Sequence, residues 1–165
     1  MNIAHIGIGS NVGDRYGNCL EAVERVSGLS GSRVTGCSSW YLTSPVGVEG
    51  QDWYLNGAVQ LETPLPPRGL ISSLLGIERA MGRVRKDKWE PRVIDLDILI
   101  YGDAVLDSPD LIIPHPLMHL RRFVLMPLAE LAPDLVHPVL GLRVRDLLER
   151  LPEDGQQVEK WSESR

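Results

Sequence analysis

The chain has 165 residues, 43% of them hydrophobic and 24% charged, proportions that suit a soluble globular protein with one buried core. A formal charge of −5 and a pI near 5.3 argue against a surface devoted to nucleic acid or anionic membrane. No charged-then-apolar leader and no run long enough to span a bilayer is present, and Cys19 and Cys37 lack CxxC or zinc-ligand spacing. We therefore expect small buried thiols, a reducing compartment and a cytoplasmic location. One domain over residues 1–165 is expected, with a loosely held tail from 152 to 165.

In chain order, "NIAHIGIGS" alternates as a strand, with Ala4, Ile6 and Ile8 on one face and His5, Gly7 and Gly9 on the other. A turn leads into a helix from about Tyr16 to Leu29, with Leu20, Val23 and Val26 at helical spacing. "SRVTGCSSWYLTS" is a second strand with weaker alternation, followed by the Pro/Gly-rich loop "PVGVEGQD". "WYLNGAVQLET" is a half-buried strand: Leu55, Val59 and Leu61 lie on one face, Tyr54, Asn56, Ala58 and Gln60 on the other. "PLPP" opens a helix whose buried stripe is Leu70, Ile71, Leu74, Ile77 and Met81, stopped at Gly82. A basic loop then feeds the strand "RVIDLDILIYG". Turns around "GDAVLDSPDLIIP", an apolar helix near Phe123 to Leu131 and an amphipathic helix near Val144 to Leu151 complete the chain.

Strand, helix, strand, strand, helix, strand is the β-α-β-β-α-β order of a ferredoxin-like α+β sandwich: an antiparallel sheet with helices on one main face, here with C-terminal additions. The aliphatic rows would lie under the helices. The opposite face would collect Gly7, Gly9, Tyr54, Asn56, Asp95 and Asp97, a polar floor with room above two glycines.

Two carboxylates inside "RVIDLDILIYG" are unusual. Period two puts Asp95 and Asp97 on one face with Leu99 and Tyr101, opposite an aliphatic row of Ile94, Leu96, Ile98 and Ile100. A solvated outer face would account for them blandly. However, Asp is a poor strand former, and like charges at i, i+2 repel unless a cation sits between them. Hard cations such as Mg²⁺ are held in this way, by one or two carboxylates plus substrate phosphates.

The preceding loop strengthens the metal reading. Arg79, Arg83, Arg85, Lys86, Lys88 and Arg92, with Trp89 among them, crowd a short stretch of a chain that has 17 Lys+Arg in all. Helix C-termini favour cations, which covers Arg79 and Arg83 but not the rest. Guanidinium groups grip phosphate oxygens, so a basic loop running into D-x-D points to a polyphosphate held from both sides. Other motifs fail. "GIGSNV" places Val12 where G-x-G-x-x-G needs glycine, and no Gly-Lys pair exists for a Walker A loop. Pro114 and Pro116 argue against a zinc-binding helix through His115 and His119, and His5 and His137 suit structural roles.

These residues resemble the 6-hydroxymethyl-7,8-dihydropterin pyrophosphokinases of folate biosynthesis. "IGIGSNVGDR", "TSPVG", "YLNGAV", "IERAMGRVR", "WEPRVIDLDILIYG" and "IPHPLMHLRRFVLMPLAELAP" follow the family's order along nearly the whole chain. The resemblance implies a ferredoxin-like enzyme that moves the β,γ-pyrophosphoryl group of ATP to the pterin's hydroxymethyl oxygen, releasing AMP. It implies that Asp95 and Asp97 bind Mg²⁺, two ions when ATP is present, and that Tyr54 and Phe123 sandwich the pterin ring. Thr43, the backbone at Val46 and Asn56 would line its polar edge. Arg83, Arg85, Trp89 and Arg92 would close over ATP, with Arg83 and Arg92 catalytic, and Glu78, Ile98, His115 and Arg121 would contact the nucleotide. The chain departs from the family's pattern at Lys88 and Glu90 in the loop, and at Leu117 and Leu120 in "PHPLMHLRR".

No residue stands out as a general base. The partners expected are ATP and the hydroxymethyldihydropterin, with no nucleic acid and no membrane, and the chain is expected to be a monomer. The competing readings are another Mg²⁺-dependent D-x-D phosphoryl or nucleotidyl transferase and a non-enzymatic nucleotide-binding module.

Overall fold

In a computed structural model, which describes residues 1–44, 53–82, 93–153 and 157–162, the N-terminal alternation becomes strand β1 (Asn2–Ser10). Helix α1 (Arg15–Ser27) follows, capped by Asp14, whose carboxylate accepts the Gly17 N–H at 3.0 Å. The second strand of the sequence is two, β2 (Arg33–Cys37) and β3 (Tyr41–Thr43), both antiparallel to the long β4 (Tyr54–Thr63). Ser38 causes the break by substituting its side chain for backbone: Ser38 Oγ accepts the Ala58 N–H at 2.9 Å and donates to the Ser39 carbonyl at 2.7 Å. Trp40 then folds over Gly57, where any Cβ would collide with the indole.

Helix α2 (Pro67–Ala80) starts on Pro66 and Pro67 and buries Leu70, Leu74 and Ile77, as its apolar spacing predicts. Strand β5 (Asp95–Tyr101) follows, then the hairpin β6 (Leu106–Ser108) and β7 (Leu111–Ile113). A 3₁₀ turn at Met118–Leu120 separates the hairpin from α3 (Arg122–Leu131), and α4 (Val144–Arg150) and β8 (Val158–Lys160) complete the fold. The sheet order is β5-β1-β4-β3-β8, with β2 also on β4, antiparallel throughout: the expected ferredoxin-like α+β arrangement. No helix among the described residues is long and apolar enough to cross a membrane.

The sheet has a core on each face. Ile6, Ile8, Val59, Leu61 and Leu96 pack under α1 and α2, whereas Leu99, Ile100, Leu125, Leu128 and Leu147 form a second core with α3 and α4. This second core corrects the reading of β5. Ile6 pairs with Ile98, but the register then slips so that His5 pairs with Ile100 and Ala4 with Tyr101. Leu99 is the extra residue of a β-bulge, and a bulge reverses the faces of everything beyond it. Ile94, Leu96 and Ile98 stay with the first core as period two predicts. Ile100 turns to the second core and Tyr101 to the first, where its hydroxyl donates to the Leu65 carbonyl.

Two further expectations change. Residues 157–162 are tied to the sheet instead of hanging loose: β8 pairs with β3, the Trp161 N–H donates to the Trp40 carbonyl at 2.8 Å, and the Trp161 ring lies 4.5 Å from that of Tyr16. The open edge of β3 offers unpaired backbone groups, and β8 satisfies them. Cys19 is buried, which pushes its thiol up to about 12, but Cys37 is exposed on β2.

His5 lies in the sheet with its Nε2 bonded to Gln60 Oε1 at 3.0 Å and its buried Nδ1 without a partner among the described residues. Burial holds its pKa below the ordinary 6.5, against a smaller opposing effect of the Gln60 bond. The unfolded chain therefore takes up this proton more readily, so the stability His5 contributes is complete above about pH 6.5 and declines as the pH falls. Urea unfolding of the wild type should show stability falling between about pH 7 and 5.5, with a shallower slope in His5→Leu; equal slopes would contradict this assignment. Gly57→Ala should lower stability by about 1–3 kcal/mol through the clash with Trp40, measured by thermal unfolding.

Candidate active site

Beyond the second core, the same sheet face holds a trough. Gly9 pairs with Asp95 on one side and Asn56 on the other, while Gly7 pairs with Asp97 and Ala58. Two carboxylates thus form one bank and β4 forms the other, across two glycines; the Leu99 side chain lies over Gly7, 3.4 Å from where a Cβ would stand. At two strand spacings the banks stand about 10 Å apart. The bare floor is required on the Asn56 side, because a Cβ at Gly9 would strike Asn56 Oδ1 and would lie 3.6 Å from the Tyr54 ring.

On the β4 bank, Asn56 and Thr43 are buried and joined, with Asn56 Nδ2 donating to Thr43 Oγ1 at 2.6 Å. With its amide nitrogen committed there, Asn56 holds Oδ1 over Gly9 as a fixed acceptor. Half-buried Tyr54 stands one alternation along the same strand face. Val46, the remaining residue expected on this edge, lies outside the described residues.

On the β5 bank, Asp95 and Asp97 are half-buried and share the glycine face, as period two predicts. Their Cα atoms stand about 7 Å apart along the strand, so their carboxylates can serve the same or adjacent cations. Among the described residues no third His, Cys, Asp or Glu joins them in a metal-binding group. Such a donor set fits a hard cation that draws its other oxygens from water and phosphate, and does not fit a closed structural site. Ile98 and Glu78, expected near the nucleotide, are both buried. The Ile98 side chain is in the first core. Glu78 is buried at the end of α2, and its Oε2 accepts the Leu96 N–H at 2.8 Å.

The bulge at Leu99 sets the third side. Its carbonyl accepts the His115 N–H at 2.9 Å, tying the segment after β7 to β5. His115 Nδ1 accepts the Leu117 N–H at 3.2 Å, which leaves the ring proton on Nε2. Burial and then the Arg121 cation hold the His115 pKa below 6.5, while the Asp95 charge opposes them. Arg121 places its guanidinium carbon 5.5 Å from the centroid of the Phe123 ring, a cation–π arrangement at the start of α3. The short 3₁₀ turn at Met118–Leu120 bears out the expectation that no regular helix joins His115 to His119. His137 has a structural role, its Nδ1 accepting the N–H groups of Val139 and Leu140 at 3.2 and 3.0 Å.

The basic loop residues Arg83, Arg85, Lys86, Lys88, Trp89, Glu90 and Arg92 lie outside the described residues. Sequence reasoning missed the bracket that seats α3. Glu130 accepts from the Tyr41 hydroxyl at 2.7 Å, the Ser39 N–H at 2.8 Å and Ser39 Oγ at 3.0 Å. Burial works against the Glu130 carboxylate, but these bonds outweigh it and hold its pKa below the ordinary 4.5; burial and then Glu130 push Tyr41 up to about 12. A single acid in an apolar helix was the available signal. A cavity of about 400 Å³ lined by Asn11, Gly13, Arg15, Leu42 and Trp53 was also not legible; Arg15 Nη1 donates there to the Trp53 carbonyl at 2.7 Å.

A family model described as 7,8-dihydro-6-hydroxymethylpterin-pyrophosphokinase matches residues 5–133. A 2-amino-4-hydroxy-6-hydroxymethyldihydropteridine pyrophosphokinase of Methylorubrum extorquens is 46% identical over 155 residues, 94% of this chain and 97% of that protein. One from Synechocystis is 43% identical over 148 residues, 90% of this chain and 75% of that protein. The fold is shared with the crystal structure of Plasmodium falciparum HPPK-DHPS wild type, at a TM-score of 0.71 and 16% identity, over 90% of this chain and 44% of that one. The chain therefore spans less than half of that solved chain.

His115 should titrate below 6.5 and be the Nε2–H tautomer at neutral pH, read from its ring ¹⁵N shifts. Because Asp95 raises this pKa, Asp95→Asn should lower it further. A rise, or no movement, would show that the two groups do not share a field.

Proposed function

The chain belongs to the 7,8-dihydro-6-hydroxymethylpterin-pyrophosphokinase family, and we propose that the glycine-floored trough is where it carries out that family's reaction. The enzyme transfers the pyrophosphoryl group of ATP to the hydroxymethyl group of 6-hydroxymethyl-7,8-dihydropterin in folate biosynthesis. The observation that carries the assignment of the site is the register of β1. It sets Asp95 and Asp97 on one bank and the Asn56–Thr43 pair on the other, across two residues that have no side chain.

The division of labour follows from the two banks. A flat heterocycle rests against Tyr54, with Phe123 as the second ring of a sandwich, and Asn56 Oδ1 accepts one of its N–H groups. The triphosphate lies on the Asp95–Asp97 bank, met by His115 Nε2–H and by Arg121. Mg²⁺ held by Asp95 and Asp97, two ions with ATP present, would neutralise phosphate charge and orient the chain of phosphates. The hydroxymethyl oxygen attacks the β-phosphorus in line, the bond to the α,β-bridging oxygen breaks, and AMP leaves with that oxygen. Arg83 and Arg92 are assigned to the charge that develops on the transferred group, and Arg85 and Trp89 to the nucleotide.

Given ATP, Mg²⁺ and 6-hydroxymethyl-7,8-dihydropterin, the purified chain should form AMP and the pterin pyrophosphate in equal amounts. Release of free pyrophosphate or ADP as the coupled product would overturn the reading. Asp97→Ala should lower kcat by more than about a hundredfold with native far-UV circular dichroism, since a ligand should matter more than the groups that orient it. Gly9→Ala should raise the KM for the pterin more than the KM for ATP, because its methyl group displaces Asn56.

A further inference from the structure

We infer that Glu78 is a positioning residue of this site: its buried carboxylate holds the peptide between Asp95 and Leu96, and so sets how the two cation-binding carboxylates are presented. The inference rests on the trough being the pyrophosphokinase site.

Among the described residues, strand β5 closes one edge of the sheet and has a strand partner only in β1. In an antiparallel ladder the N–H groups alternate between facing the partner and facing away. The Leu96 N–H faces away, so β1 cannot satisfy it, and Glu78 Oε2 accepts it at 2.8 Å. Glu78 is 2% exposed and the Leu96 side chain 1% exposed, so this residue is held by packing from its side chain and by a charge-assisted bond at its backbone. Leu96 is the only residue between Asp95 and Asp97, and a rotation of its peptide planes would swing both carboxylates. The same bond joins residues 18 apart in sequence, the last turn of α2 and the first residues of β5.

The test uses the full chain with two replacements. Glu78→Gln keeps an acceptor of the same shape, and Glu78→Met fills the volume without one. Calorimetric titration with Mn²⁺ in the presence of a non-hydrolysable ATP analogue should show Glu78→Met weakened by about tenfold or more, the order expected for one lost charge-assisted bond. Glu78→Gln should restore binding to within about threefold, and pterin affinity measured without nucleotide should stay within about twofold of wild type in both. Unchanged Mn²⁺ affinity in Glu78→Met would overturn the inference. Loss in Glu78→Gln equal to that in Glu78→Met would overturn it too, because an acceptor of the same shape would then fail to hold the Leu96 N–H. Native-state hydrogen exchange on the wild type gives a check that needs no variant: the Leu96 amide must be among the protected ones, and fast exchange there removes the clamp. If the wild type makes no AMP, the assignment of the reaction fails, while Leu96 protection still reports on the clamp.

Discussion

Strand β1 is hydrogen-bonded along both edges, to β4 and to β5, and its register decides which side chains share a face. Its apolar residues Ala4, Ile6 and Ile8 are buried under α1 and α2, and this burial leaves no freedom for a one-residue slip. Once those three point inward, Gly7 and Gly9 must point outward. Asp95, Asp97 and Asn56 are then carried to the same side by pairing alone. The site is in this sense a by-product of core packing, with the polar groups placed by the constraint that buries their neighbours.

What turns that face into a site is its partial cover. The C-terminal helices could have sealed it, and over the lower half of β5 they do, with Leu99 and Ile100 facing Leu125 and Leu128. The bulge at Leu99 marks the boundary. Before it, β5 keeps a polar outer face for ligands; after it, the outer face is aliphatic and belongs to a second core. The carbonyl of the bulge residue also receives the His115 N–H, so the irregularity that ends the open region also anchors its third wall. Glu130, gripping Ser39 and Tyr41, fixes the far end of α3 against the opposite edge of the sheet.

Polar groups in this protein work in linked pairs. Asn56 is oriented by Thr43, His115 by the Leu117 N–H, and the aspartate strand by Glu78. Each link spends one donor or acceptor internally and leaves the other directed at the trough or at the strand beneath it. A group oriented in advance loses less freedom when a ligand arrives, which is how a shallow sheet face can hold a flat ring and a flexible triphosphate together.

Much of this was legible in the residues. Alternation in "NIAHIGIGS" and "WYLNGAVQLET" and helical spacing in α1 and α2 follow from local geometry, so the element order and the membership of the polar face could be read without contacts. The "DLD" pair and its basic neighbour announced a cation and a polyphosphate because like charges in a strand require compensation. The resemblance to known pyrophosphokinases supplied the substrate. Three features depended on the tertiary structure: the reversal of Ile100 and Tyr101, the docking of β8 on β3, and the turning of Glu78 onto the Leu96 backbone. In each case the deciding group is a backbone N–H or carbonyl whose partner is distant in sequence. Side-chain period carries no information about which backbone groups are left unpaired, and only the assembled sheet determines that.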